Sequence, residues 1–275
     1  MPLAVQTVQT QFGDSTGGLA GAGGELDAAY ARIEGGRLFV MITGNIEANF
    51  NKLSLFIDSK SGGENTLVNL AYDSNNVASN LAGMMFDSGV NIDYHLFARW
   101  GGGAFQVDFV DRMGGAGFSL AGGSAAAGSG TAVQSGSFFG GPLSGNLDWG
   151  FNNNNSAGVT AGTAAADQAA AAAVTTGFEF AVDLTDLGYT SGDIRIVAAY
   201  GNGDNNFFSN QFLGGVPAPQ GNLGGDGAGG FTGTAGGINL NNFAGNQYFT
   251  VVPEPSVALL GGLGILGVLR RRRRS

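Results

Sequence analysis

The chain has 275 residues, a net charge of −9, 51 glycines, only 12% charged residues and no cysteine. The absence of thiols excludes disulfides, thiolate catalysis and zinc–sulfur sites. The glycine content disfavours long helices, because each interior glycine costs about 1 kcal/mol relative to alanine. The acidic balance argues against nucleic acid as a partner, while the length suffices for one large β domain.

Alternation of apolar and polar residues is the main structural signal from residue 25 onward. This period of two is typical of antiparallel strands in sheets with one solvent-exposed face. The clearest examples are three sets of apolar residues, each on one strand face: Leu38, Val40 and Ile42; Leu53, Leu55 and Ile57; Phe178, Phe180 and Val182.

A hairpin is predicted from residues 90–100 and 105–113, which flank the loop Gly101-Gly102-Gly103-Ala104. A four-residue loop sets Trp100 opposite Phe105 and Asp93 opposite Arg112. This register keeps the apolar faces of both strands together, whereas a slip of one residue would mix them.

Residues 114–176 are rich in Gly, Ala, Ser and Asn. They lack the apolar residues for a core of their own, which indicates a long insertion between strands with a short helix capped by Thr163. The predicted fold of residues 1–250 is therefore all-β: an antiparallel, jelly-roll-like β-sandwich carrying this insertion.

Catalytic motifs are sparse. His95 is the single histidine; the alternation predicts it on the polar face of a strand, and no nucleophile elbow accompanies it. A structural role is expected for His95, and the protein is expected not to be an enzyme. Glycoside hydrolysis needs only two suitably spaced carboxylates, so a carboxylate-pair enzyme stays open as the alternative.

A calcium site is the one metal site that the sequence suggests, and no other cofactor is expected. A strand is followed by DSKSGGEN, a glycine-containing loop with hard oxygen ligands. The candidate ligands are Asp58, Glu64 and Asn65. Turn-forming Asp and Asn residues explain the same letters.

Two tryptophans are candidates for stacking on sugar rings. Trp100 and Trp149 lie beside glycine-rich loops, where binding platforms are often found. The alternative is that they fill the ends of the sandwich core, which is the commoner role of tryptophan.

The last 25 residues, 251–275, form a separate tail with three parts. The motif Pro253-Glu254-Pro255 is extended, since proline fixes φ. A charge-free helix is predicted over 257–269, about 20 Å long and therefore short for a bilayer. A cluster of positive charge closes the tail and is expected to stay cytoplasmic: Arg270, Arg271, Arg272, Arg273 and Arg274.

This order of motif, short apolar helix and arginine cluster resembles the PEP-CTERM sorting signal of Gram-negative bacteria. The resemblance implies export, a transient stay at the inner membrane, and processing by an exosortase-type membrane peptidase. It implies Pro253, Glu254 and Pro255 as the recognised motif and the five arginines as the stop-transfer element. The first residues, MPLAVQTVQTQFGDS, lack the features of a signal peptide, so a leader is expected upstream.

The body resembles, more loosely, family-9-like carbohydrate-binding sandwiches. The segments concerned are GELDAAYARIEGGRLFVMITGNIE, NKLSLFIDSKSGG, GFEFAVDLTDLG and SGDIRIVAAY. That resemblance implies a sandwich that binds glycans and calcium. The expected protein is thus a non-catalytic surface or biofilm-matrix protein that associates with polysaccharide; a self-assembling matrix protein is a further alternative.

Overall fold

A computed structural model describes residues 1–12, 23–124, 133–224 and 234–253, apart from the side chains of 119–124 and 133–140. Strands make up 42% and helices 7% of the described residues, and the strands form two antiparallel sheets. The predicted all-β sandwich is confirmed.

Within the described residues the elements follow one another as β1 Ala4–Val5, β2 Glu25–Glu34, β3 Arg37–Asn45, β4 Lys52–Asp58, β5 Tyr94–Gly101, β6 Ala104–Asp111, β7 Gly117–Ser124, β8 Val133–Gly140, β9 Leu143–Asn152, α1 Gln168–Ala172, β10 Gly177–Asp183, β11 Ile194–Gly201, β12 Phe208–Leu213 and β13 Phe249–Val251. The first sheet has the strand order β1-β2-β3-β10-β9-β8. The second has the order β12-β11-β4-β5-β6-β7, and β13 also pairs with β11. The chain therefore changes sheet between β3 and β4, between β7 and β8, and between β10 and β11.

The main core lies between the two sheets and is centred on aromatic rings. Phe105 of β6 stacks on Phe151 of β9, with ring centroids 4.3 Å apart, and on Trp149 at 5.1 Å. Phe178 of β10 lies 5.6 Å from Phe105. These rings join the sheets, because β6 belongs to the second sheet whereas β9 and β10 belong to the first.

A second core covers the outer face of the second sheet. Apolar side chains of β4, β5 and β12 on this face pack against the connecting segments 59–93, 214–224 and 234–248, which contribute Leu67, Val77, Leu81, Met84, Phe86, Val216, Leu223, Ile238 and Leu240. The second sheet is therefore buried on both faces, whereas the sequence pattern predicts one wet face. The covering residues are distant in sequence from the strands that they bury.

His95 lies in this second core and not on a polar surface, which corrects its predicted position. Its ring is fully buried and stacks on Phe56 at a centroid distance of 4.2 Å. Burial lowers the pKa of His95 well below its ordinary value, and the charges of Arg112 and Lys52 lower it further. The ring is thus neutral at physiological pH and acts as a packed aromatic group.

The predicted hairpin register is confirmed. Trp100 pairs with Phe105, and the Arg112 amide donates to the Asp93 carbonyl at 2.8 Å. The loop is tighter than predicted, because Gly101 and Ala104 also pair. Only Gly102 and Gly103 form the turn, with φ of 57° and 78°. A two-residue hairpin turn whose twist matches that of the strands requires positive φ at both positions.

The segment 114–176 differs from the predicted insertion. It contains the short helix, but it also supplies β7, β8 and β9, which are integral strands of both sheets. The helix begins later than predicted. Its cap is Asp167, whose carboxylate accepts from the amides of Ala169 and Ala170, and not Thr163.

Candidate functional site

A groove of about 690 Å³ lies on the outer face of the first sheet. Four neighbouring strands, β2, β3, β10 and β9, form its floor. With strands about 4.8 Å apart, it runs roughly 14 Å across the sheet. A volume of this size lies in the range of small-ligand sites.

The pairing register arranges the outward side chains of the groove in two rows. One row is Tyr30, Met41, Glu179 and Gly150; the other is Arg32, Phe39, Ala181 and Asp148. Every position on β2 and β3 carries a large side chain. Each of β10 and β9 contributes one small residue, Ala181 or Gly150, beside one carboxylate, so the floor is low only at these two positions.

The charges in the groove are arranged around Phe39. The guanidinium of Arg32 lies 5.3 Å from the centre of the Phe39 ring, and that of Arg37 lies 5.9 Å from it. Arg37 forms ion pairs with Asp148 and Asp183. Partial burial alone would lower the pKa of Arg37, but the two carboxylates raise it. Arg37 and its partners therefore form a fixed ionic border, whereas Arg32 is largely exposed.

Tyr30 joins the groove to the helix. Its hydroxyl donates to the carbonyl of Ala172 in α1 at 3.2 Å, so the phenol is held in position while its ring lines the groove. Glu179 is exposed, and its Oε1 lies 2.9 Å from the point that a Cβ on Gly150 would occupy. A side chain at position 150 would therefore displace this carboxylate and fill the floor.

The two tryptophans predicted as sugar platforms are core residues. Trp100 is 2% exposed and Trp149 is 5% exposed, and both belong to the core between the sheets. A stacking platform needs an open ring face, so the prediction that they bind sugar is corrected. The alternative role, filling the sandwich, is the one that the structure shows.

The three predicted calcium ligands each have a different partner. Asp58 accepts from the Asn91 amide and lies 3.8 Å from Arg195. Glu64 binds Arg112 at 2.7 Å. The amide nitrogen of Asn65 donates to three main-chain carbonyls in 86–90. Two of the three thus face a guanidinium, an unfavourable setting for a cation, and the structure gives this site no support.

Most of the sorting tail lies outside the described residues. This applies to Glu254, Pro255, the 257–269 segment and the five arginines. Of the motif, Pro253 is described: it follows β13, directly after Val252, which is 65% exposed. Within the described ranges, no helix has both the length and the apolar character that a membrane crossing requires.

The groove residues were not singled out by the sequence patterns, although one signal was present. In β3, Leu38, Val40 and Ile42 face the core, yet the residues between them include Phe39 and Met41. A strand with apolar side chains on both faces, in a sheet with one face exposed, indicates a second contact surface. The small residues Ala181 and Gly150 lie on other strands, and the sequence alone does not show how those strands pair with β3.

Comparisons with protein-family models, curated proteins and solved structures found no match. Within the part of the chain that the structure describes, no group of three or more Asp, Glu or His side chains is arranged to hold a metal ion.

Proposed function

We propose that this chain is an exported, non-catalytic surface or matrix protein that associates with polysaccharide through the groove on its first sheet. The observation that carries the proposal is an open groove in which the rings of Tyr30 and Phe39 stand beside the small residues Ala181 and Gly150. Aromatic faces bind the apolar faces of sugars, while Arg32 and Glu179 offer hydrogen bonds to hydroxyl groups. A concave apolar site with a few placed polar groups is the usual form of a ligand site.

The rival function is a secreted carbohydrate-active enzyme. Glu179 and Asp148 stand in adjacent rows on neighbouring strands of the groove, and such diagonal pairs lie about 7–8 Å apart. This spacing suits an inverting carboxylate pair. However, Asp148 forms an ion pair with Arg37, which lowers the basicity of its carboxylate and so weakens it as the general base that an inverting pair requires.

Groove variants test the binding proposal. We expect Tyr30→Ala and Glu179→Gln each to weaken polysaccharide binding by about tenfold or more, because each removes a contact worth roughly 1.4 kcal/mol. The measurement is a glycan array followed by titration calorimetry on the best ligand. Matched controls are Met113→Ala and Asp193→Asn, which change exposed residues outside the groove.

Two results would contradict this assignment. Unchanged affinity in both groove variants would place any glycan site elsewhere on the chain. Reducing ends released from a polysaccharide by the unmodified protein, and lost in Glu179→Gln, would establish the enzyme.

The sorting part of the proposal rests on the tail. It is supported by the order of its parts and by the exposed Val252, which follows the last strand of the body. Replacing Pro253, Glu254 and Pro255 by alanine should trap the full-length chain at the inner membrane. Cell fractionation with intact-mass measurement checks this, and normal release of a shortened body would refute it.

A further inference from the structure

The cationic side chains of the groove on the first sheet are already matched by acidic ones. Arg32 forms an ion pair with Glu34 at 2.8 Å, and Arg37 forms ion pairs with both Asp148 and Asp183. An anionic ligand would therefore have to compete with a carboxylate of the protein for either guanidinium.

Glu179 of β10 is an acid of the groove without such a match. It lines the groove and is exposed, and among the described residues no cationic side chain forms an ion pair with it. Its Oε1 stands over Gly150, 2.9 Å from the point that a Cβ there would occupy. A carboxylate is thus placed at one of the two low positions of the floor.

The side-chain charges around the groove are negative in sum. Four acidic side chains line the groove or pair with its arginines, whereas only two cationic side chains do so. The whole chain is acidic as well, with a net charge of −9. A concave surface of one sign concentrates ligands of the opposite sign. Polysaccharides that carry carboxylate, sulfate or phosphate groups are therefore disfavoured in this groove.

We propose that the polysaccharide bound in this groove carries free amino groups, as a deacetylated amino sugar does. The ammonium group donates to the carboxylate of Glu179, which it can approach over the floor because residue 150 has no side chain. A hydrogen bond between charged groups is about twice as strong as a neutral one, so this contact distinguishes an amine from a hydroxyl or an acetamide. The inference rests on the proposed function, because it names the polysaccharide that the groove selects.

Two oligosaccharides that differ only at nitrogen test the proposal. One is an oligomer of glucosamine at mildly acidic pH, where its amines are protonated; the other is the same oligomer with every amine acetylated. We expect the unmodified protein to bind the first at least about tenfold more tightly, because only the first offers Glu179 a charge-assisted hydrogen bond. Titration calorimetry at low salt measures both affinities, and added salt should narrow the difference. A uronic acid oligomer of the same length should bind more weakly than either.

Three variants separate the charge from the rest of the groove. Glu179→Gln should bind the two oligomers equally, at the affinity of the acetylated one, because only the charge is removed. The matched control is Asp193→Asn, which removes an exposed carboxylate outside the groove and should keep the tenfold preference. Tyr30→Ala should weaken the binding of both oligomers alike, because its ring contacts the sugar and not the amine.

Several results would overturn this inference while leaving the groove a glycan site. These are equal binding of the two oligomers by the unmodified protein, tighter binding of the uronic acid oligomer, and a preference for the amine that persists in Glu179→Gln. Tighter binding of a lysine oligomer of equal length would overturn it in favour of a basic peptide. Binding of none of the oligosaccharides also overturns it, and the glycan array then decides the proposed function on its own.

Discussion

Replacing Phe105 by alanine is expected to lower the free energy of unfolding by about 3–5 kcal/mol. The Phe105 ring is fully buried and contacts Phe151, Trp149 and Phe178 at centroid distances of 4.3, 5.1 and 5.6 Å. Its removal leaves a cavity where the two sheets meet, and aromatic contacts of this type contribute about 0.5–1.5 kcal/mol beyond buried area. The loss is a large share of the stability of a typical domain.

Urea unfolding followed by tryptophan fluorescence measures this loss, because Trp149 is next to the deleted ring. Phe39→Ala is the matched control: it is the same change on the outer face of the first sheet, where the ring is only half-buried. We expect the control to lose no more than about 1.5 kcal/mol. Equal losses in the two variants would mean that Phe105 does not join the sheets as described.

The hairpin of β5 and β6 shows what local pattern can determine. Its register followed from the alternation of apolar residues on both strands, since only one pairing keeps Trp100 and Phe105 on the same face. The loop length was less well predicted, because the pattern does not say whether Gly101 and Ala104 continue the ladder. Strand periodicity is a local property, and it was sufficient here.

The second core could not be predicted in the same way. His95 alternates with apolar residues, so the pattern predicts it to be solvent-exposed. Instead it packs on Phe56 and Phe97, in a core that residues from distant connections complete. Which loop packs on which face depends on contacts far apart in sequence. For the same reason β7, β8 and β9 were not predicted. Their glycine- and serine-rich sequences carry little periodicity, and they form strands because neighbouring strands pair with them.

The candidate sites differ in the same respect. The sequence located calcium in a loop with Asp58 and Glu64, where carboxylates are adjacent in the chain. In the structure those acids face arginines, whereas the side chains that line the groove come from four strands, β2, β3, β9 and β10. Proximity in sequence was a poor guide because strand pairing brings together side chains that are far apart in the chain.

The other large effect is expected from Lys52, at the start of β4. Its side chain is fully buried, and its ammonium donates to the carbonyl of Gly203. It stands opposite Arg99, which forms an ion pair with Asp108 at 2.7 Å. Burial, together with the charge of Arg99, lowers the pKa of Lys52 to about 8. The folded protein therefore releases the Lys52 proton above about pH 8, whereas the unfolded chain keeps it up to about pH 10.5.

Because of Lys52, the free energy of unfolding should rise with pH between about 8 and 10.5. Between pH 8 and about 10.5 the unfolded state binds more protons than the folded state, so the free energy of unfolding increases with pH. From pH 7 to 9.5 the gain from Lys52 is about 2 kcal/mol. Above pH 10 the effect is opposed, because burial raises the pKa of Tyr72, Tyr94 and Tyr200, and the unfolded chain then ionises these phenols first.

Lys52→Met isolates this contribution. Methionine fills a similar volume without charge, so the variant should be more stable than the unmodified protein at pH 7, and the difference should shrink by about 2 kcal/mol towards pH 9.5. Urea unfolding at several pH values measures both. The chain's other lysine provides the control. Burial alone would lower the pKa of Lys60, but the hydrogen bond to Tyr94 and the nearby acidic groups together raise it, so Lys60→Met should keep the rise. Parallel pH profiles for Lys52→Met and the unmodified protein would show that Lys52 stays charged in the folded state because Asp108 and Asp204 compensate its burial.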